Sequence, residues 1–304
     1  MSRENKRLWL KFLSLFSVIR GYNILVIVIA QYLASIFIMA HPLPVRQVVL
    51  DPNLFLIILS TALAIASGYL INNFYDSEKD LINRPQKTLL DNYVSQKTKL
   101  GVYFTLNFLS VIIASYVSFK AVLFFSFYIF VLWLYSHKLK RYPFLGTLTA
   151  GLVAILPFFI IFVYYRNFEA VIFVHAIFLF FIILIRELVK DLENLKGDFT
   201  LDYSTIPVKY SVKFTKRLIS VLVISTIIPA LILVLYFDSG YMDYYFLLCV
   251  VLLLIFLFQL WSSRQKIHYL LLHNLLKFIL ILGVFSIMLI DLEAVIKRLF
   301  YFHS

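Results

Sequence analysis

The sequence predicts an all-α, polytopic membrane protein: nine transmembrane helices packed as one bundle, a single domain over 1–304. Three observations predict it. First, 62% of the residues are hydrophobic and only 14% charged, against roughly 45–50% and about 25% in soluble domains. Second, the apolar residues run in windows of about 20, the length that crosses a hydrocarbon core of about 30 Å. Third, Lys and Arg divide unevenly between alternate connections. Of 28 such residues, 21 fall in the N-terminal segment and the 2–3, 4–5, 6–7 and 8–9 loops, counting Arg186 and Arg217 at the span ends with the 6–7 loop, five fall in the opposite set, and Arg20 and Lys277 fall within spans. That bias puts the N-terminus in the cytoplasm. Nine crossings then put the C-terminus, with Lys297 and Arg298, outside.

The opening "MSRENKRLWLKF" reads as an amphipathic entry to the first span. Arg20 interrupts the apolar stretch that follows, and no small-residue cleavage site marks it as a signal peptide. The spans then run near 15–39, 54–75, 101–119, 121–136, 147–165, 168–189, 217–236, 243–261 and 270–291. A very tight turn around Phe119–Ala121 joins the third and fourth. No Pro/Ser-rich linker or low-complexity tail divides the chain. Cys249, the only cysteine, lies in an apolar run, which excludes an intramolecular disulfide and a thiolate metal cluster. The net charge of +12 has no soluble basic domain to carry it, so nucleic acid is not an expected partner. A multi-pass protein of a bacterial or archaeal plasma membrane is the expectation.

Spans 2 and 6 both end on the cytoplasmic side in acids followed by a basic loop. The first such end is "SGYLINNFYDSEKDLINRPQK", Ser67 to Lys87. At roughly 100° per residue, Asn72, Asp76, Asp80 and Asn83 lie within about 80° on one helical face. The second is "IRELVKDLENLKGDFT", Ile185 to Thr200. There Glu187, Asp191, Asn194 and Asp198 share a face if the helix continues through Gly197. Glu78 and Glu193 point off these faces and are expected to tolerate substitution better.

Aligned carboxylates at a membrane boundary repel one another and are costly to desolvate. A divalent cation resolves that cost. Asp and Asn oxygens without His or Cys suit Mg2+ or Mn2+. Mg2+ favours a few carboxylates together with phosphate oxygens, so a diphosphate fits between two such faces. Arg84, Lys87, Lys138, Lys140, Arg186 and Lys190 stand nearby as partners for its oxygens. For Lys138, Lys140 and Arg141 the positive-inside bias is an equally good account.

These residues resemble a known family. "NNFYDSEKDLINRP" is similar to the first aspartate-rich motif of the UbiA-type intramembrane prenyltransferases, N-D-x-x-D-x-x-x-D-x-x-N-R-P, matched by Asn72, Asp76, Asp80, Asn83, Arg84 and Pro85. Asn73 departs, standing where many members have Asp. The second cluster resembles the family's second motif, most surely at Asp191 and Asp198. "YSHKLKRYPFLG", Tyr135 to Gly146, looks like the family's Y-x-x-x-L-K segment, with Thr147 where Asn often follows. "RGYN", Arg20 to Asn23, resembles R-P-x-N with Gly21 in place of Pro.

The resemblance implies nine helices, cytoplasmic loops capping an active site, and transfer of a polyprenyl group from its diphosphate to an acceptor with release of pyrophosphate. It implies catalytic Asp76, Asp80, Asp191 and Asp198, with Asn72 and Asn194 joining them around Mg2+ or Mn2+. Arg20, Asn23, Asn83, Arg84, Lys87, Tyr135, Lys140, Arg186 and Lys190 are the expected substrate contacts. The run Arg186–Asp198 with "STIPVKYS" after it looks most like the digeranylgeranylglyceryl phosphate synthase branch, although Asn194 replaces an Asp common there. The expected donor is then geranylgeranyl diphosphate and the acceptor geranylgeranylglyceryl phosphate, with an aromatic quinone precursor as the alternative. A transporter is the rival from another class, since intramembrane acids also mark ion pathways. Spans 2 and 6 lack the midspan prolines that broken transporter helices carry.

Overall fold

A computed structural model describes residues 3–40, 43–237 and 239–291. Its helices are α1 (Arg3–Val18), α2 (Gly21–Ala34), α3 (Val45–Val49), α4 (Pro52–Tyr75), α5 (Ser77–Asn83), α6 (Pro85–Asp91), α7 (Gln96–Val117), α8 (Phe119–His137), α9 (Leu145–Tyr165), α10 (Ala170–Glu193), α11 (Leu195–Thr200), α12 (Ile206–Lys209), α13 (Val212–Tyr236), α14 (Asp243–Ser262) and α15 (Lys266–Ser286). Among the described residues, nine helical segments are long and apolar enough to cross a membrane. They are Gly21–Met39, Pro52–Tyr75, Gln96–Val117, Phe119–Arg141, Leu145–Tyr165, Ala170–Glu193, Val212–Tyr236, Gly240–Ser262 and Lys266–Leu289. The all-α class and the nine spans agree with the sequence. Lys297, Arg298 and the expected outside C-terminus lie outside the described residues.

The first span starts later than expected. Its entry is a separate helix, α1, and Arg20 does not lie within the span but at the junction, with φ +51°. Gly21 permits this break: a Cβ there would stand 2.6 Å from Cδ2 of the Phe16 ring. The connection between α7 and α8 is tighter still than expected. Ser118 alone separates them, and its hydroxyl accepts the Ala121 N–H at 3.1 Å as an N-cap. The same device starts α4, where Asp51 accepts from Asn53 and Leu54 ahead of Pro52, and α7, where Ser95 accepts from Thr98.

The chain forms two compact units. One comprises Met1–Val28, Leu50–Thr149 and Asn194–Thr205. Its centre is α4, packed against α7 and α8 and burying Leu54, Ile57, Ala64, Leu70 and Ile71. Gly68 lets Leu132 of α8 come close, 3.0 Å from where a Cβ would stand. Phe104 and Phe108 of α7 point outward, which costs nothing against lipid. The other unit comprises Ile29–Val49, Ala150–Glu193 and Ile206–Ser304. There α10, α13, α14 and α15 pack around Ile182, Ile185, Leu188, Val223, Leu253 and Leu276. Gln31 is fully buried and donates to the Pro157 carbonyl at 2.7 Å.

Candidate active site

Both acidic motifs sit where a long helix breaks into a short one. Asp76 ends α4 with φ −94° and ψ 6°, and Asn194 ends α10 with φ −97° and ψ 7°. The break keeps the register: Asp76 N–H donates to Asn72 O at 2.9 Å, Asp80 N–H to Asp76 O at 2.8 Å, and Arg84 N–H to Asp80 O at 2.7 Å. Asn72, Asp76 and Asp80 therefore stay one turn apart, as on an unbroken helix. In the second motif Asp198 N–H donates to Asn194 O at 3.1 Å, which keeps those two residues one turn apart.

In the first unit, two side-chain oxygens of the first motif converge on one cation. Lys140 Nζ lies 2.7 Å from Asp76 Oδ1 and donates to Asn72 Oδ1 at 3.1 Å. It comes from the short 3-10 turn Leu139–Arg141. The Asp80 carboxyl is pushed above its ordinary range by burial and then by the neighbouring Asp76 charge, with Arg84, Lys87 and Arg20 opposing. The Lys87 ammonium is pulled down, first by burial and then by Arg20. Arg20 thus bears on the motif from its junction. Its guanidinium lies 5.1 Å from the Tyr69 ring centroid, and Asn23 Nδ2 donates to Tyr69 OH at 3.3 Å.

The beginning of the second motif's loop belongs to the same unit. Asp198 is fully buried and forms an ion pair with Lys79 of α5. Its Oδ2 also accepts from Thr205 Oγ1 at 3.3 Å. Asn83, expected on substrate, joins the short helices: its Oδ1 accepts Gly197 N–H at 3.2 Å and its Nδ2 donates to Asn194 O at 3.4 Å. Tyr203 lies beneath two cations, Lys79 at 4.7 Å and Arg141 at 5.0 Å from its ring centroid. Burial, then Asp76, raises its phenol pKa.

In the second unit, Glu187 is not a free oxygen ligand. It pairs with Arg186 at 3.0 Å and with Lys190. The two bases expected on substrate are therefore engaged with a neighbour on their own helix. Asp191 follows one turn later, half-buried. Glu193 and His273 form a buried pair, Oε2 to Nδ1 at 2.7 Å. Tyr135 is half-buried in the last turns of α8, in the first unit.

Sequence reasoning missed Lys79, Tyr203 and His273. Lys79 stands inside the quoted motif, beside Asp80, but only the tertiary approach of α11 gives it Asp198. Tyr203 is one of 20 tyrosines and His273 one of six histidines, and neither carries a spacing signal.

Among the described residues no group of three or more His, Cys, Asp or Glu is gathered to hold a metal. The donor set nevertheless fits a hard cation. Asn72 and Asp76 present two oxygens to one positive centre, the Lys140 ammonium, and Asp80 follows one turn on. Oxygen-only donors of this kind select Mg2+ over softer metals.

The model of the UbiA prenyltransferase family matches residues 14–290. The digeranylgeranylglyceryl phosphate synthase of Methanobrevibacter smithii is 29% identical over 254 residues, covering 79% of this chain and 84% of that protein. Among solved structures, one described as giving insights into the biosynthesis of digeranylgeranylglyceryl phosphate synthase in membranes superposes with a TM-score of 0.69, at 19% identity over 93% of this chain and 99% of the other. A UbiA homologue from Archaeoglobus fulgidus bound to GPP and Mg2+ gives 0.63, at 17% identity over 90% and 99%. At those identities the two structures speak for the fold, and the family match over most of the length decides the assignment: this chain is a multi-pass membrane protein of the UbiA prenyltransferase family.

Proposed function

We propose that this prenyltransferase moves a geranylgeranyl group from its diphosphate to geranylgeranylglyceryl phosphate, with Mg2+ as cofactor. The observation that carries the reading is the convergence of Asn72 and Asp76 oxygens on a single cation, the Lys140 ammonium. The relatives' common activity favours the glyceryl phosphate acceptor over an aromatic acid.

In the reaction the allylic C–O bond breaks and its electron pair leaves with the diphosphate. The acceptor hydroxyl oxygen bonds to the same carbon, and its proton passes to the departing pyrophosphate. Asn72, Asp76 and Asp80 would hold the metal. A bound Mg2+ supplies positive charge to the leaving oxygens as they gain negative charge. Lys140, Arg84 and Lys87 lie on the same unit and add hydrogen-bond donors to those oxygens. Lys79 and Arg141, fixed over Tyr203, bring two more charges to the second motif. Asn83 keeps the two short helices together, so the acids and bases hold their spacing as the substrate arrives.

The imbalance of 21 to five in Lys and Arg supports a cytoplasmic N-terminus, with the motifs on that side. Family membership sets the transporter reading aside. The test uses purified protein, geranylgeranyl diphosphate, Mg2+ and a panel of acceptors, with lipid products read by mass spectrometry. An ether formed on geranylgeranylglyceryl phosphate supports the reading. Transfer only to an aromatic acid would keep the mechanism and replace the acceptor.

A further inference from the structure

Asp91 has no role in the account above, yet it is 2% exposed and centres a network that joins four helices. Its Oδ1 accepts from Ser17 Oγ of α1 at 2.9 Å, and its carbonyl accepts from Ser14 Oγ at 3.2 Å. Its Oδ2 accepts from Asn73 Nδ2, in the last turn of α4, at 3.3 Å. The same oxygen lies 3.5 Å from Lys87 Nζ, one turn earlier on α6. Asn73 Oδ1 accepts in turn from Lys99 Nζ of α7 at 2.8 Å, and Lys99 is 1% exposed.

Sealed charges of this kind are poor devices for stability. Desolvation offsets their attraction, and packed apolar groups of similar volume often do as well or better. Orientation is what the network does fix. Lysine only donates and an ionised carboxylate only accepts, so the Asn73 amide has one workable orientation between Lys99 and Asp91. Turning the end of α4 about its axis breaks both bonds together. The adjacent residue, Asn72, is the one that shares Lys140 with Asp76. On its other side Asp91 restrains Lys87, whose side chain is one-third exposed at the edge of the network.

We propose that Asp91 is a positioning residue for diphosphate capture, aiming Lys87 directly and, through Asn73, fixing the rotation of the α4 end that carries Asn72 and Asp76. The proposal rests on the prenyl diphosphate reading above and deepens it. Asp91, Asn73 and Lys99 act through these neighbours. The competing account is that Asp91 merely neutralises Lys99.

Four variants separate the two. Asp91→Asn is expected to raise both the KM for geranylgeranyl diphosphate and the Kd for inorganic pyrophosphate by about tenfold or more, as lost charge-assisted bonds do, with kcat changed by less than about threefold. The double variant Asp91→Asn/Lys99→Met removes both sealed charges and so stays testable if the single variant fails to fold. Positioning predicts that it keeps the raised KM and Kd, that Lys87→Met alone reproduces only part of the rise because the Asn73 route survives, and that adding Lys87→Met to it costs less than Lys87→Met does alone. Wild-type KM and Kd in the double variant would overturn the positioning role while leaving the prenyl transfer reading intact. Failure of the unaltered enzyme to bind pyrophosphate or release it from the prenyl donor would overturn both together.

Discussion

Gly197→Ala tests the joint between the two motifs. A Cβ at position 197 would stand 2.8 Å from Asn83 Cγ and 2.9 Å from Asn83 Oδ1. Side chains at a flexible surface step aside from such a contact, but Asn83 is 6% exposed. Its amide is also bonded at both ends to the α11 region, at 3.2 and 3.4 Å. Stepping aside therefore breaks two hydrogen bonds, about 1 kcal/mol each, and overpacking adds about 1–3 kcal/mol. Against this, Ala in a helix is better than Gly by about 1 kcal/mol. The clash wins, for a net loss of about 2–4 kcal/mol. The consequence reaches the site, because displacing α11 from α5 also parts Lys79 from Asp198. The assay is thermal unfolding in detergent alongside pyrophosphate release. The expected result is a lowered unfolding midpoint with reduced kcat/KM. Asn83→Ala in the Gly197→Ala background should cost little more, since the bonds it would remove are already lost. Wild-type stability and activity in Gly197→Ala would refute the reasoning.

Three further outcomes follow from the geometry. Asp76→Asn, which keeps the shape and removes the charge facing Lys140, should lower kcat/KM at least about 100-fold, roughly 2.7 kcal/mol, with the protein still folded by size-exclusion profile. Glu193→Ala should destabilise by about 1–3 kcal/mol because it leaves buried His273 without its carboxylate partner, whereas Glu78→Ala, at an exposed position, should leave the thermal midpoint unchanged.

That contrast shows where sequence reading stopped. Glu78 and Glu193 look alike on a helical wheel, both off the acidic face, and tolerance was expected of both. Only the approach of α15 to the end of α10 gives Glu193 a buried partner. Local chemistry was legible: the one-turn spacing of Asn72, Asp76 and Asp80 survives the helix break because the i→i−4 bonds run through it. The nine apolar spans were legible for the same reason, since length and hydropathy are local properties. The break at Arg20 was not, because it depends on Phe16 folding back against Gly21. Nor was the bridging role of Asn83, which on the wheel is simply a fourth polar group. Pairings such as Lys79 with Asp198 span more than a hundred residues and follow from packing alone.

The central claim is that the acidic motifs and their bases serve metal-dependent departure of a diphosphate. Its most direct test is the stoichiometry of pyrophosphate released from geranylgeranyl diphosphate, with and without geranylgeranylglyceryl phosphate, under Mg2+, Ca2+ and EDTA. The account predicts one pyrophosphate per ether formed, release that needs both Mg2+ and acceptor, and poor support by Ca2+, whose preferred geometry differs. Undiminished release in EDTA would contradict it.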